Sequence, residues 1–543
     1  MDKNPAPAPP PCRVFTFKNF LWLTFFLVLT GAARCANYRS VFVTSAAGAM
    51  RQTYFVDGDC YARMTRVREV LQRGGLVHYH PWENFPKGVW PHTTAPMDYL
   101  IAGLALLLKP FMADYIDMAG AIVSPLLGLM TTGFLALWAR ELSQQYRRLM
   151  LLLASLSPIL VHGTCLGRPD HQSLQIFLIA VSLGAEIVMA QAPTIVWSIV
   201  GGAAWGLGLW VSLYEPLVLM VVVFLTTVIF YRQKLFVKVR WWELGAIAFV
   251  LGIAWLLEGP YIVKSFAIEA GDPALKQYFG NWSATIAEMT HTTVLSALIY
   301  EWVGWGLIVA PLLLIARLRD TKRSLMLLTL LIATFAFTLK EIRWGYFFAL
   351  IYTMSLPWQL SLFKWKWLVW PLFILSLWPI GWGWEMRLFP DEAHETLRIA
   401  RLDDQRRLRQ AAEYIRDHAP GGILAPWWWS PQLAYWSGQP ALAGSSHESL
   451  SGIVDTSRFF VTTDPKAAER ICNDRQVETI FIGDPSDIVD QSAKILGQPF
   501  PQKENTMADI LYQKPHSAPI FLHIVFDNIV IKVFEVNHGF IVR

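Results

Sequence analysis

The sequence predicts a polytopic α-helical membrane protein with about 11–13 transmembrane helices and a C-terminal α/β extracytoplasmic domain. Three observations carry this expectation. Of 543 residues, 54% are hydrophobic and only 16% charged, a balance that soluble domains rarely carry. The apolar residues gather into runs close to the length that crosses a hydrocarbon core, from about residue 19 to 384, and then stop. Basic residues collect in alternate connecting loops, as the positive-inside rule requires. The net charge of +5 therefore reports topology, and no nucleic-acid partner is expected.

The elements follow in order. Residues 1–18, a Pro-rich tail with Lys3 and Arg13, are assigned to the cytoplasm. The run from Asn19 to about Arg34 has the basic flank of a signal sequence without a clear small-residue cleavage site, and is read as a retained first helix. It leaves 37–96 as a large outer loop. The apolar stretch 97–108 is read as an interfacial or partly inserted helix. A span at 116–138 returns to Arg140, Arg147 and Arg148, and one at 149–163 delivers Asp170 outside. Spans at 174–190, 195–211 and 216–231 lead to the inner group Arg232, Lys234, Lys238 and Arg240. The span at 243–262 exits and leaves 263–292 as a second outer loop, with Asp272, Trp282, Glu288 and His291. Another returns to Arg317, Arg319, Lys322 and Arg323. The last three exit near Lys340 to Arg343, return near Lys364 and Lys366, and exit near Trp384.

The membrane domain is thus 19–384, and 385–543 is a separate outer domain. There, 402–418 has helical spacing, 464–472 is helix-like, 477–482 is a β-branched run, and 520–533 alternates as a strand. No Gly-rich phosphate loop joins a strand to a helix. Cys60 and Cys165 lie near the acidic stations described next; they pair in a disulfide or remain separate small residues.

Five stations on the outer side carry chemistry. Asp57-Gly58-Asp59 offers two carboxylates for a hydrated cation or for proton transfer, although loop Asp pairs also build turns and caps. Asp170-His171-Gln172 offers oxygen and nitrogen ligands at a helix entry, where Asp is also an N-cap. Glu288 sits in the second outer loop, in Thr285-Ile286-Ala287-Glu288. Arg343 can clamp a phosphate or snorkel at the interface. Trp427-Trp428-Trp429-Ser430-Pro431, followed by Tyr435-Trp436, suits a sugar face or peptide, or simply packs.

In this order and on this side, the stations resemble the catalytic subunit of oligosaccharyltransferase and its single-subunit archaeal and bacterial relatives, over nearly the whole chain. Thr285 to Glu288 matches the Thr-Ile-x-Glu motif intact. Asp57, with Arg63 six residues on, resembles the first-loop Asp motif. Gly167 to His171 resembles the second acidic motif in its archaeal Asp-His-His form, with Gln172 in place of the last histidine. The Trp-Trp-Asp-Tyr-Gly motif, which holds the hydroxyl of an accepted Asn-x-Ser/Thr, reads Trp427 to Pro431 here. Its Asp becomes Trp429, which accepts no hydrogen bond.

The resemblance implies a GT-C glycosyltransferase that moves a glycan from a polyprenyl-diphosphate donor with inversion at the sugar carbon. It implies Mn²⁺ or Mg²⁺ held by Asp57, Asp170, His171 and Gln172, and the diphosphate held by Arg343. Asp57, Asp59 and Glu288 would orient and deprotonate the acceptor. Trp427, Trp428, Trp429 and Ser430, with Glu288, would hold it. The altered motif weakens a protein asparagine and favours a hydroxyl, lipid or polysaccharide acceptor. Membrane lipid surrounds the enzyme, and a bacterial inner membrane is the expected location. The rival classes are a non-catalytic scaffold and a transporter or flippase. The latter predicts charges at mid-membrane, but Glu215, Glu243 and Glu258 fall near span ends.

Overall fold

The computed structural model describes residues 17–538 except 45–50, 92–94, 143, 231, 236, 260–272, 318–321, 362, 364, 419–420 and 500–502. The N-terminal tail through residue 16, Asp272, Arg319 and Lys364 therefore lie outside the described residues. The helices longer than four residues begin with α1 (Phe17–Arg34), α2 (Gly58–Arg73), α3 (Ala95–Leu108), α4 (Tyr115–Glu141), α5 (Arg147–Leu156) and α6 (Pro158–Gly163). There follow α7 (His171–Met189), α8 (Ile195–Val211), α9 (Tyr214–Phe230), α10 (Arg240–Glu258) and α11 (Pro273–Ser283). Then come α12 (Ala297–Val303), α13 (Ala310–Arg317), α14 (Lys322–Lys340), α15 (Gly345–Leu360), α16 (Lys366–Ser376) and α17 (Trp378–Leu388).

Hydropathy and position separate clearly in this bundle. Every residue of α15 is buried, and its largely apolar surface, with Thr353, Ser355 and Gln359 hydrogen-bonded within the helix, makes it the central post. In α7, 94% of the apolar window is buried; in α10, equally long, only 11% is, which leaves that helix facing outward. Contact between α8 and α10 depends on Gly202 and Gly206. A Cβ on Gly202 would lie 2.3 Å from the Glu243 carbonyl, and one on Gly206 would lie 2.9 Å from Val250 Cβ.

Long unbroken spans are fewer than the sequence predicts. Among the described residues, three helices are long and apolar enough to cross a membrane, or four if the pair α16–α17 counts as one span bent by 42°. Five shorter apolar helices accompany them. Part of the difference is length, since α8 and α9 are unbroken at 17 residues each, and part is breakage within apolar runs: Pro158 separates α5 from α6, and Gly304 at φ 80° separates α12 from the turn before α13.

The C-terminal region begins with α18 (Glu392–His418) and continues through α19 (Ser430–Ser437), α20 (Leu450–Val461), α21 (Pro465–Asp474), α22 (Pro485–Leu496) and α23 (Met507–Gln513). A short pair, β1 (Phe42–Thr44) and β2 (Arg51–Thr53), lies before α2. The main sheet holds β3 (Gly422–Leu424), β4 (Val477–Ile482), β5 (Leu522–Asp527) and β6 (Lys532–Val536) in the order β3-β4-β6-β5. β3 runs parallel to β4, and the other neighbours are antiparallel. The single strand expected at 520–533 is instead a hairpin, because Asn528 donates its backbone N–H to Ile531 O and closes the turn.

One hydrophobic core joins this region to α2: Tyr61 and Met64 pack with Leu408, Ile415, Tyr435 and Trp436. Tyr435 and Trp436 are therefore buried, not exposed aromatics. Arg68 stacks 3.4 Å over the Tyr435 ring and donates to its carbonyl at 2.7 Å. The Tyr435 hydroxyl in turn reaches Asp117.

Candidate active site

Asp57 owes its position to helix capping. It holds an extended backbone ahead of α2 and accepts the Cys60 N–H at 3.0 Å through Oδ1, which leaves Oδ2 facing the cleft. Gly58 next to it lies against the Trp428 carbonyl and Pro431, so the Trp-rich segment seals this helix end. Asp59 is exposed at its surface, but protein crowds its other sides. Desolvation there, with Asp57 and Asp170 nearby, pushes its carboxyl up to about 8, and a Ser445 hydrogen bond opposes this in part.

The second station is pinned by backbone. Gly167 takes φ 75°, and a Cβ there would stand 2.7 Å from Val41. Its N–H donates to Ala121 O at 2.9 Å, and its carbonyl accepts Val56 N–H at 3.0 Å. Ser124 hydrogen-bonds the Arg168 carbonyl. Asp170 occupies the N-cap position of α7, yet its carboxylate caps nothing. It meets His171 Nδ1 at 2.7 Å instead. Burial alone would raise its pKa, but His171, Arg168 and Arg63 together hold it well below the carboxylate range.

Glu288 is clamped from both sides. Toward the C-terminal region, Asn281 donates to Ile495 O at 3.1 Å, Lys494 to Ala284 O at 2.7 Å, and Trp282 packs edge-on against Trp427 at 5.9 Å. Toward the bundle, Ile342 N–H donates to Thr290 O and Thr292 N–H to Leu339 O. The motif's own Thr285 returns its hydroxyl to Trp282 O at 2.6 Å, closing the turn that presents Glu288.

The three stations meet around a side chain that the sequence reading passed over, Arg168. Its guanidinium donates to Glu288 Oε1 at 2.8 Å and to Gln172 Oε1 at 3.1 Å. It stands 3.5 Å from Asp57 and 3.7 Å from Asp170, and its other fork donates to His162 Nε2 at 3.0 Å. Gln172 Nε2 and the Tyr346 hydroxyl complete the Glu288 carboxylate at 2.9 and 3.2 Å. His162 Nδ1 lies 2.9 Å from the same hydroxyl. With Nε2 accepting from Arg168, the imidazole is neutral and donates to Tyr346, whose O–H passes on to Glu288. Burial would raise the pKa of Glu288, but Arg168 and Gln172 lower it.

The remaining expected residues fall elsewhere. Arg343 borders the cleft but is ion-paired with Glu215 and 5.9 Å from the Tyr214 ring. Trp427, Trp428 and Trp429 are half-buried, each against a different apolar cluster. Ser430 is fully buried and donates to Ala425 and Pro426 carbonyls at 3.1 Å, so its hydroxyl does not face an acceptor. Cys60 and Cys165 are separate buried thiols. His291 is exposed, away from the network. The metal set does not fit a resident ion in this arrangement: among the described residues no three His, Cys, Asp or Glu side chains converge on one point. The oxygens of Asp57, Asp170, Gln172 and Glu288 converge on the Arg168 guanidinium instead.

A cavity of about 730 Å³ opens beside His162, Val56 and Cys165, with Arg387 at its mouth. Through Ala33, Ala36, Trp384 and Leu388 it joins an apolar groove of about 600 Å³ between α1 and α17. One signal could have found both arginines. In the topology read from loop charges, Arg168 and Arg387 fall on the side that the positive-inside rule leaves poor in basic residues, so each calls for another reason to be there.

No protein-family model matches the chain, and no curated protein matches it in sequence. Solved structures do. The apo oligosaccharyltransferase of Archaeoglobus fulgidus superposes with a TM-score of 0.72 at 11% identity, over 94% of this chain and 80% of that one. The same organism's AglB, in complex with an inhibitory peptide and a dolichol-phosphate, gives 0.64 at 11%, over 97% and 75%. ArnT from Cupriavidus metallidurans bound to undecaprenyl phosphate gives 0.51 at 12%, over 95% and 97%. The Archaeoglobus enzyme is also solved in complex with Zn and sulfate, with a TM-score of 0.67 at 12% identity over 93% and 79%. The chain therefore has the fold of the GT-C membrane glycosyltransferases, as the resemblance in its motifs implies.

Proposed function

We propose that this chain transfers a glycan from a polyprenyl-phosphate-linked donor to an acceptor held between the helical bundle and the C-terminal region. One observation carries the reading: Asp57, Asp170 and Glu288, from three distant segments, meet at a single guanidinium on a glycosyltransferase fold. A non-catalytic scaffold has no use for such a convergence of buried charge, which costs several kcal/mol to assemble. A transporter reading has no supporting feature.

The roles divide by how each carboxylate is held. Glu288 has three donors on its oxygens, so it orients rather than takes a proton. Asp57 Oδ2 is freer, with 37% of the side chain exposed, and is placed to accept the proton of an acceptor N–H or O–H, while Asp59, pushed up to about 8, holds its own proton near neutral pH and joins as an acceptor only above that. The acceptor atom then bonds to the anomeric carbon, and the departing pair goes to the lipid phosphate. Mn²⁺ or Mg²⁺, implied by the resemblance, would neutralise the leaving group when bound. Asp57, Asp170, His171 and Gln172 do not form a site for it in this arrangement, so no step is routed through it.

The isoprenoid chain fits the apolar groove between α1 and α17, which leads its phosphate to Arg387. Among the described residues Arg387 pairs with no carboxylate. Arg343 joins as a second phosphate ligand when its pair with Glu215 opens. At the acceptor side Trp429 and the buried Ser430 offer no polar grip on a sequon hydroxyl, which favours a hydroxyl, lipid or polysaccharide acceptor over asparagine. We place the cleft and the C-terminal region on the extracytoplasmic face of a bacterial inner membrane.

The test is transfer in purified membranes from a labelled polyprenyl-diphosphate glycan to native cell extract, beside Asp57→Ala and Glu288→Ala. Label entering a new product in wild type and in neither variant supports the reading. Folded protein that labels nothing with any donor overturns it.

A further inference from the structure

We infer that Arg168 is the resident cation of this cleft, standing where the family resemblance implies a divalent ion, so that the resting protein binds neither Mn²⁺ nor Mg²⁺ at that point. The inference deepens the glycosyl-transfer reading and rests on it for its meaning, though not for its test. A buried arginine can be a mere packing element, but this one differs in three ways.

First, it is 3% exposed and touches four segments: Asp57, His162, its own loop with Asp170 and Gln172, and Glu288. Of the four expected ligands, Asp57, Asp170 and Gln172 are among its neighbours, and the fourth, His171, meets Asp170 instead. Second, the spacing suits a guanidinium. The nitrogen-to-oxygen separations run from 2.8 to 3.7 Å around a planar fork. A Mg²⁺ ion needs oxygens at about 2.0–2.1 Å in near-octahedral array, so the carboxylates would have to collapse inward. Third, the side chain cannot readily withdraw. Its backbone is fixed by Ser124, Ala121 and Val56 through Gly167, and leaving would take the donor from Gln172 Oε1 and the cation from Glu288 Oε1.

A fixed guanidinium supplies a single positive charge already desolvated and oriented, with no dissociation equilibrium. It can hold the acids together and face the departing phosphate without an external ion.

The experiment follows free Mn²⁺ by its EPR signal as purified full-length protein is added, for wild type, Asp57→Ala, Arg168→Ala, Arg168→Lys and Arg168→Ala with Asp57→Ala. The wild type is expected to leave the free-ion signal at its buffer value. Arg168→Ala is expected to take up about one ion per chain, since the positive charge about 4 Å away that repels it is removed. Arg168→Lys keeps the charge and takes up none, and adding Asp57→Ala abolishes the uptake. Depletion of the signal by wild type, lost in Asp57→Ala, overturns the inference, because the ion then displaces the arginine. Folded Arg168→Ala that takes up no ion overturns it too, since the acids then form no metal-capable set. If Arg168→Ala does not fold, the wild-type titration decides alone. Uptake is scored whether or not any donor is transferred, so a failure of the transfer assay strikes the functional reading and leaves this one standing.

Discussion

Removing the Glu288 carboxylate separates the anchoring role assigned to it from the freer role of Asp57. Glu288→Ala deletes the acceptor for Arg168 at 2.8 Å, for Gln172 at 2.9 Å and for Tyr346 at 3.2 Å. Breaking a fully buried ion pair from one side costs about 3–5 kcal/mol. The Glu288 side chain is 34% exposed and solvent screens part of that, so about 2 kcal/mol is expected. Glu288→Gln keeps an oxygen for Arg168 and Tyr346 but loses the charge and turns its NH₂ toward the Gln172 Nε2 donor, which should together cost about 1 kcal/mol. Asp57→Ala loses one N-cap bond and a half-exposed contact at 3.5 Å, again about 1 kcal/mol. Thermal unfolding in detergent should therefore rank wild type highest, Glu288→Gln and Asp57→Ala together, and Glu288→Ala lowest, while both alanine variants lose transfer. An Asp57→Ala melting temperature at or below that of Glu288→Ala would refute the anchoring argument. So would equal losses for the Gln and Ala variants at Glu288.

Three further outcomes are expected. Gly167→Ala forces a Cβ onto Val41 at a left-handed backbone; it should cost more than about 2 kcal/mol and abolish transfer, which unfolding and label transfer both read. Ser430→Ala removes hydrogen bonds to Ala425 and Pro426 and should lower stability by about 1 kcal/mol with acceptor KM unchanged; a raised acceptor KM at unchanged stability would return this hydroxyl to the acceptor site. Arg387→Ala should raise donor KM about tenfold or more while acceptor KM stays put, and equal effects on both substrates would move the donor phosphate elsewhere.

The convergence of Asp57, Asp170 and Glu288 was legible in the sequence because sidedness needs only loop charges, and sidedness put all three at one face. What topology cannot supply is the third dimension within that face. Arg168 sits between Gly167 and Pro169 two residues before a predicted ligand, and only the left-handed turn at Gly167 shows that it points inward. The ion pair of Arg343, read from sequence as a phosphate clamp or an interfacial snorkel, is hidden because its partner, Glu215, lies 128 residues away on another helix. The Trp427 to Trp429 cluster was visible as a cluster. Its division among three apolar cores depends on how α19 turns after it, and no local pattern encodes that. The hairpin at 522–536 was hidden by continuous alternation, since Asn528 makes its turn without glycine or proline.

Helix α2 is at once the carrier of Asp57 and the handle of the C-terminal region. Asp57 sits at its tip, and Arg68, eleven residues further on, is stacked on Tyr435. At 1.5 Å per residue the two lie about 16 Å apart on one stiff rod. A tilt of about 4° about the Tyr435 anchorage swings the carboxylate by about 1 Å, a displacement that can cost about a hundredfold in rate. A stacking contact remote from any substrate thus sets the mechanical tolerance of the proton acceptor, and loosening it would be felt as slower chemistry with every cleft residue intact.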